Sequence, residues 1–252
     1  MEIEAVIFDL GGTLIEYSGT YARWPDLETP GFTAAYERLR REGLTLPPFE
    51  AFRDAGFELL PGRWQGATAG GANLRLAELL AEVALALGLE TTDDIVLAEA
   101  AELYERAICD QAELLEDTKD TLAEMRARGY KIGLLSNTMF RGAAHIADLE
   151  RFGLRHYFDA MLFSADAGKW KPSPEPYLQL LEELDVAPEA AVFVGDDPAN
   201  DVVGAQRAGM RAIYVHANGR FQKPERVEPD AEVARLGEVP QVLRRWENGV
   251  GP

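Results

Sequence analysis

The stretch Ala5-Val6-Ile7-Phe8-Asp9-Leu10-Gly11-Gly12-Thr13-Leu14 constrains this chain more than any other. Four apolar residues in a row, two of them β-branched and one aromatic, predict a strand buried on both faces. Such a strand belongs in a parallel sheet with helices on either side. It runs into a carboxylate, a glycine pair and a hydroxyl. Glycines let the backbone turn sharply and approach a ligand closely. In an open α/β sheet, ligands bind at the carboxyl ends of the strands. Asp9 is therefore expected at the floor of a crevice, although an Asp that only caps a turn fits this stretch equally well.

The rest of the chain follows two patterns. From Tyr17 to Leu115 the apolar spacing is helical, with runs over about 30–42, 48–60, 73–87 and 92–108. Thr29 before Pro30 and Thr92-Asp93-Asp94 read as helix starts, and Gly43 and Gly88 as stops. Pro61 to Ala72, rich in Gly and small residues, reads as a loop, either a lid or a solvated connection. From Glu116 onward, strands alternate with helices. Strands are expected at Tyr130–Leu135, Ala160–Phe163, Ala191–Val194 and Ala212–Val215, with a further short one at Ala231–Ala234. Asp117 or Thr118 is expected to cap the first helix of this part. The alternation predicts an α/β fold with a doubly wound parallel sheet. The expected organisation is a core domain of residues 1–16 and 116–252 and an inserted all-helical domain of residues 17–115. The tail from Val250 is expected to fray.

Composition removes several function classes. The 252 residues carry a formal net charge of -18, which disfavours nucleic acid and anionic membranes as partners. It also means that any anion site needs local compensation from Lys, Arg, a metal or helix N-termini. No apolar run reaches the roughly 18 residues of a membrane span. The opening Met-Glu-Ile-Glu has no basic segment before the first strand, so no secretory leader is expected. The single Cys109 excludes an internal disulfide and fits a reducing, cytoplasmic setting; it is read as core packing. His145, His156 and His216 are isolated in the sequence and receive no role.

The chemistry-bearing residues follow four expected strands. Asp9 and Thr13 follow the first, Ser136 and Asn137 the second, Lys171 the third, and Asp196, Asp197 and Asp201 the fourth. If these strands share one parallel sheet, the side chains converge on one edge. Taken singly, Ser136-Asn137 reads as a helix cap, Lys171 as a solvated lysine and Asp196-Asp197-Pro198 as a capped turn. Four such coincidences at consecutive strand ends favour a shared site. Crowded carboxylates repel unless a cation sits among them. Hard oxygen ligands without a His or Cys cluster point to Mg²⁺ over zinc.

Asp9-Leu-Gly-Gly-Thr-Leu, Leu135-Ser136-Asn137, Lys171-Pro-Ser-Pro and Gly195-Asp196-Asp197-Pro-Ala-Asn-Asp201 resemble the four ordered motifs of the haloacid dehalogenase-like hydrolase superfamily. The helical insertion is similar to its C1-type cap. The resemblance implies a phosphatase acting on a small phosphorylated metabolite through an aspartyl-phosphate on Asp9. It implies phosphate contacts from Thr13, Ser136, Asn137 and Lys171, with Lys171 also neutralising charge. It implies Mg²⁺ held by Asp9, the Gly11 carbonyl and Asp196, with Asp197 or Asp201 in support. An aspartate is already ionised at neutral pH and needs no base to activate it.

Gly11 departs from the pattern, since the family's phosphatases usually carry a second aspartate there as general acid/base. That help is worth roughly 10²–10⁴ in rate. A metal-bound water, Asp197, Tyr17 or Tyr21 could replace it, or the substrate could have a good leaving group. Two alternative readings follow: a non-catalytic or weakly active phosphate-binding protein, and a metal-free haloacid dehalogenase, against which the full 196–201 acidic set argues. A Schiff-base mechanism is disfavoured because no lysine precedes Lys119. Trp24, Arg63, Trp64 and Asn73 are the candidates for substrate selection in the helical insertion. Oligomeric state is not legible from the sequence.

Overall fold

A computed structural model of the chain describes residues 2–17, 24–89, 93–216, 221 and 223–249. Tyr21, Thr92 and the tail from Val250 lie outside the described residues.

In chain order, β1 (Ala5–Phe8) and the short β2 (Ile15–Glu16) precede four helices, α1 (Thr29–Arg41), α2 (Phe49–Thr68), α3 (Leu76–Ala86) and α4 (Asp94–Cys109). The two-residue β3 (Glu113–Leu114) leads to α5 (Thr118–Ala127), β4 (Lys131–Ser136) and α6 (Gly142–Arg151). Then come β5 (Ala160–Phe163), the one-turn α7 (Ser164–Ala167), α8 (Glu175–Leu184), β6 (Ala191–Gly195) and α9 (Val203–Arg207). The chain closes with β7 (Arg211–Val215), β8 (Ala231–Val233) and α10 (Val239–Glu247).

These elements form two compact units. The first comprises residues 1–16, 114–137 and 149–252 and contains a six-stranded sheet in the order β5-β4-β1-β6-β7-β8, every pair parallel. The α/β fold expected from the alternation is therefore present. β1 lies at the centre because all four of its residues are apolar and buried. Ala5 and Ile7 join Leu135 and Phe193 with Tyr177, Leu180, Leu181 and Leu184 of α8 in one apolar cluster. Val6 and Phe8 point the other way and are equally buried, so both faces are covered. β1 is followed in sequence by β4 on one side and later by β6 on the other. The strand order reverses at β1, and that reversal opens a crevice at the carboxyl end of an open sheet.

The second unit comprises residues 17–113 and 138–148. Residues 138–148 join it through Arg141, whose guanidinium pairs with Glu105 (2.8 Å) and Glu102 (2.6 Å), and through the Met139 carbonyl, which accepts from Leu76 N–H at 3.1 Å. The centre of this unit is aromatic: Phe32 meets Phe52, Phe57 and Tyr104 edge-on.

Several local expectations fail. Pro61–Ala72 is mostly helical, because α2 continues to Thr68 with Pro61 inside it. Leu60, Trp64 and Ala67 keep helical spacing, and that apolar face outweighs the weak propensities of Gly62 and Gly66. The following helix begins at Leu76, not Asn73, whose side chain instead accepts from Leu74 N–H. Thr29 does not cap α1; its hydroxyl donates to the Asp26 carbonyl and it lies inside the helix. Asp117 does take the N-cap position of α5, its carbonyl accepting from Thr121 N–H, but in a left-handed conformation (φ 66°) and without a side-chain capping bond, while Thr118 is the first helical residue and donates its hydroxyl to Leu14 O. Asp93 does cap α4, accepting from Ile95 N–H.

Candidate active site

Asp9, Gly12, Lys171, Asp196 and Asp201 all belong to the first unit. β1 delivers Asp9, whose N–H donates to Val194 O at 2.9 Å and so extends the β1–β6 ladder by one residue. The backbone then bends through Gly12, at φ 90°, a conformation that side-chain-bearing residues rarely adopt. A Cβ there would lie 2.3 Å from Asp196 Oδ2, so Gly12 is required by both conformation and space. Gly195 plays the second part of that role: its Cβ would lie 2.2 Å from Asp201 Oδ2. The two glycines let carboxylates pack against backbone.

β6 ends in Gly195 and hands over to Asp196, which is buried. A wide turn, Pro198–Val202, then returns Asp201 to the strand end. Asp201 is held at both oxygens: Oδ2 accepts from Asp197 N–H (2.9 Å) and Oδ1 from Lys171 Nζ (2.7 Å). Tyr177 supports the turn by donating its hydroxyl to Asn200 O.

Lys171 is the hub. Its ammonium donates to Asp9 Oδ1 at 2.6 Å and to Asp201 Oδ1 at 2.7 Å, and it lies over the Phe193 ring. It is only 2% exposed. Burial opposes its charge, but Asp201 and Asp9 together outweigh that penalty and raise its pKa above the usual lysine range. Burial pushes the Asp201 carboxyl up to about 7, against the pull of Lys171 and with the further push of Asp9 and Asp197. Asn137 fixes the lysine from behind. Its amide donates to Lys171 O (2.9 Å) and its carbonyl accepts from Lys171 N–H (2.8 Å).

One oxygen each from Asp9, Asp196 and Asp201 lies within 4.8 Å of the others, all three residues buried. Three carboxylates facing one ammonium leave a formal excess of two negative charges. All-oxygen donors with that excess suit a hard divalent cation such as Mg²⁺. The Thr13 hydroxyl is buried with no hydrogen-bond partner among the described residues, a vacancy that an acceptor such as a phosphate oxygen would fill.

The structure thus brings Asp9, Thr13, Lys171, Asp196 and Asp201 to the carboxyl edge of one sheet, with Ser136 buried at the end of β4, next to β1. Two residues have other work. Asn137, expected to meet substrate, spends its amide on the Lys171 backbone. Asp197, expected near the ion, caps the turn: Oδ1 accepts from Ala199 and Asn200 N–H, and Oδ2 from the Asn200 side chain. The short polar residue at the start of an irregular segment was a signal for that cap. Gly11 forms a bridge with Ile15 and contributes no side chain.

In the second unit, the Trp24 and Trp64 rings lie 6.3 Å apart, and Arg63 reaches Asn73 O (3.3 Å) and Glu82 (3.4 Å). Tyr17, considered as a substitute acid, has its hydroxyl 3.0 Å from His145 Nδ1.

A family model for haloacid dehalogenase-like hydrolases matches residues 3–209. The chain belongs to this family. It is 31% identical to a ribulose-1,5-bisphosphate 5-phosphatase from Halopiger xanaduensis over 95% of this chain and 98% of that one. It is 39% identical to a phosphoserine phosphatase from Thermus thermophilus over 50% of this chain, and there it spans about half of the relative's length, 49%. Its structure is similar to a 2-haloacid dehalogenase from Pseudomonas syringae, with a TM-score of 0.68 and 29% identity over 97% of this chain and 99% of that one. This haloacid dehalogenase-like hydrolase carries the four motif segments in family order, and no helix among its described residues is long and apolar enough to cross a membrane.

Proposed function

We propose that the chain is a Mg²⁺-dependent phosphatase acting on a small phosphorylated metabolite in the cytoplasm. The observation that carries this reading is the Lys171 ammonium clamped between Asp9 and Asp201, with Asp196 converging on the same point. An ionised carboxylate cannot approach a phosphate dianion unless positive charge is already in place. Lys171 supplies part of that charge and, by binding Asp9 Oδ1, fixes the orientation of the attacking group.

Asp9 attacks phosphorus, its new O–P bond forming as the bond to the leaving oxygen breaks, and water then cleaves the aspartyl-phosphate to regenerate the carboxylate. Asp9, Asp196 and Asp201, with the Gly11 carbonyl, would hold the ion, which supplies charge neutralisation at the phosphoryl oxygens. Thr13 and Ser136 offer hydroxyls to the phosphate, and Asn137 is a positioning residue for Lys171. The leaving oxygen draws its proton from elsewhere than residue 11, which favours substrates with acidic leaving groups. Trp24, Arg63, Trp64 and Asn73 remain the proposed substrate-selecting set, and residues 17–115 the proposed inserted domain.

The similarity to a 2-haloacid dehalogenase supports a second reading, attack of Asp9 on carbon with halide release. The buried acids of the 196–201 segment oppose it, because displacement of halide at carbon presents no phosphoryl charge for a divalent cation to neutralise. One experiment separates the readings. Hydrolysis of p-nitrophenyl phosphate is expected with Mg²⁺, lost with EDTA, and lost in Asp9→Asn with an unchanged circular dichroism spectrum. Equal rates with and without metal would remove the ion from the proposal. Chloride release from 2-chloropropionate in EDTA would replace it with the dehalogenase reading, and absence of both reactions would favour a binding protein.

A further inference from the structure

The second unit holds a buried polar cluster that the hydrolase chemistry does not use. Cys109 ends α4, and His145 and Asp148 lie on α6 three residues apart, which puts them on one face of that helix. One ligand atom from each lies within 4.8 Å of the others, and the three residues are 6%, 3% and 3% exposed. Tyr17 joins them from a distant part of the chain, its hydroxyl 3.0 Å from His145 Nδ1 and 3.5 Å from Asp148 Oδ2. All four residues belong to this unit.

From this arrangement we infer a second metal site, in which Cys109, His145 and Asp148, with the Tyr17 hydroxyl beside them, bind a borderline divalent cation of the Zn²⁺ type.

Three lines of physical reasoning lead to the site. The first is donor chemistry. A thiolate, an imidazole and a carboxylate make a mixed sulfur–nitrogen–oxygen set that suits Zn²⁺ or Co²⁺ and not Mg²⁺. The oxygen-only cluster of Asp9, Asp196 and Asp201 has the opposite preference, so the chain carries two sites of different hardness. The second is charge. A thiolate and a carboxylate, with a neutral imidazole, balance a divalent cation in full, which is what a buried site requires. Cys109 sits at the negative end of the α4 dipole, which favours a cation there and disfavours an unaccompanied thiolate. The third is orientation. Thr138 Oγ1 lies 2.8 Å from His145 Nε2, and Phe140 stacks on the ring at 20°. With Nε2 held by the threonine, Nδ1 is the atom turned toward Tyr17. A ring nitrogen anchored to an oxygen behind a ligating one is the usual support of a metal-bound histidine.

Binding exchanges the Cys109 thiol proton for the metal–sulfur bond and involves no redox step. It would tie together residues 17, 109 and 145–148, three segments far apart in the chain, so the site is a structural staple of this unit. The inference stands independently of the phosphatase reading.

The test is a Co²⁺ titration of the EDTA-stripped full chain in excess Mg²⁺, which saturates the hard-oxygen site. One equivalent is expected to bind with an intense thiolate-to-cobalt charge-transfer band, which Zn²⁺ then bleaches. Because Cys109 is the only cysteine, that band reports this site alone. Asp9→Asn is expected to keep the band. His145→Asn and Asp148→Asn are expected to weaken Co²⁺ binding at least tenfold, and the absence of such weakening in folded variants would overturn the assignment. Should those variants fail to fold, the wild-type spectrum decides alone: no charge-transfer band at stoichiometric Co²⁺ overturns the site.

Discussion

The two units use glycine for different ends. In the sheet unit, a Cβ on Gly12 would strike Asp196 and one on Gly195 would strike Asp201. In the helical unit, a Cβ on Gly31 would lie 2.3 Å from Tyr104 Cδ1, and one on Gly56 would lie 2.2 Å from Phe32 Cε1. Beside the site, glycine makes room for carboxylates; in the helical unit, and again at Gly204 of the sheet unit, whose Cβ would lie 2.4 Å from the Tyr177 hydroxyl, it makes room for aromatic side chains. Close packing of rings around a bare backbone contributes stability. Close packing of carboxylates lowers stability through desolvation and repulsion, and is sustained here by Lys171. The contrast separates a region shaped for chemistry from one shaped by core packing.

The sharpest way to break this contrast is Lys171→Met. It leaves Asp9 and Asp201 buried without their ammonium. We expect kcat/KM for p-nitrophenyl phosphate to fall by about 10³-fold or more. A loss below tenfold would mean that Lys171 is only a structural counter-ion. Next, Gly12→Ala and Gly31→Ala should diverge. Gly12→Ala displaces Asp196 and strains a φ of 90°, so kcat/KM should drop by about 10²-fold. Gly31→Ala overpacks the Tyr104 ring and should cost about 1–3 kcal/mol in urea unfolding, with kcat/KM per folded molecule retained. Equal activity losses in both would erase the distinction between the units.

A smaller effect is expected from Gly11→Asp. If the missing acid limits turnover, this change should raise the rate on alkyl phosphates by about tenfold while leaving p-nitrophenyl phosphate nearly unchanged. A fall on both substrates would show that another group already does this work. The smallest effect belongs to Tyr104→Phe, which removes a 2.9 Å hydrogen bond to Glu28 and should cost about 1 kcal/mol near neutral pH. Burial, and then Glu28, raise the Tyr104 pKa well above its ordinary value. Above about pH 10 the unfolded chain therefore releases a proton that the folded state keeps, and stability falls with rising pH. Phe cannot ionise, so the deficit of Tyr104→Phe should shrink between about pH 8 and about pH 11, as measured by urea unfolding. A deficit that stays constant over this range would contradict the buried, protonated tyrosine.

The sheet unit was the more legible of the two in the sequence. Its strands are short apolar runs ended by polar residues, and a parallel sheet forces those ends to one edge. Hence Asp9, Lys171, Asp196 and Asp201 could be named as a group before any geometry. What their roles would be in detail was less legible. Asn137 and Asp197 have the right chemistry and the right strand ends, yet both are consumed by backbone hydrogen bonds. Such local partners depend on turn geometry that spacing alone does not encode. In the helical unit, Pro61 and its neighbouring glycines concealed a helix, because a buried face set by Leu60 and Ala67 outweighed local propensity. His145 and Cys109 appeared isolated for a related reason: their neighbours come from α4, α6 and the segment after β2.

The sequence by itself determined the class of fold, the strand ends that bear charge and the order in which they occur. Each of these follows from apolar periodicity and from residue types read locally. Only the tertiary structure decided which carboxylate shares the lysine, which amide holds it, and that a cysteine, a histidine, an aspartate and a tyrosine meet in the second unit. Those outcomes depend on contacts between residues up to 162 positions apart, whose energies exist only once the chain has closed on itself.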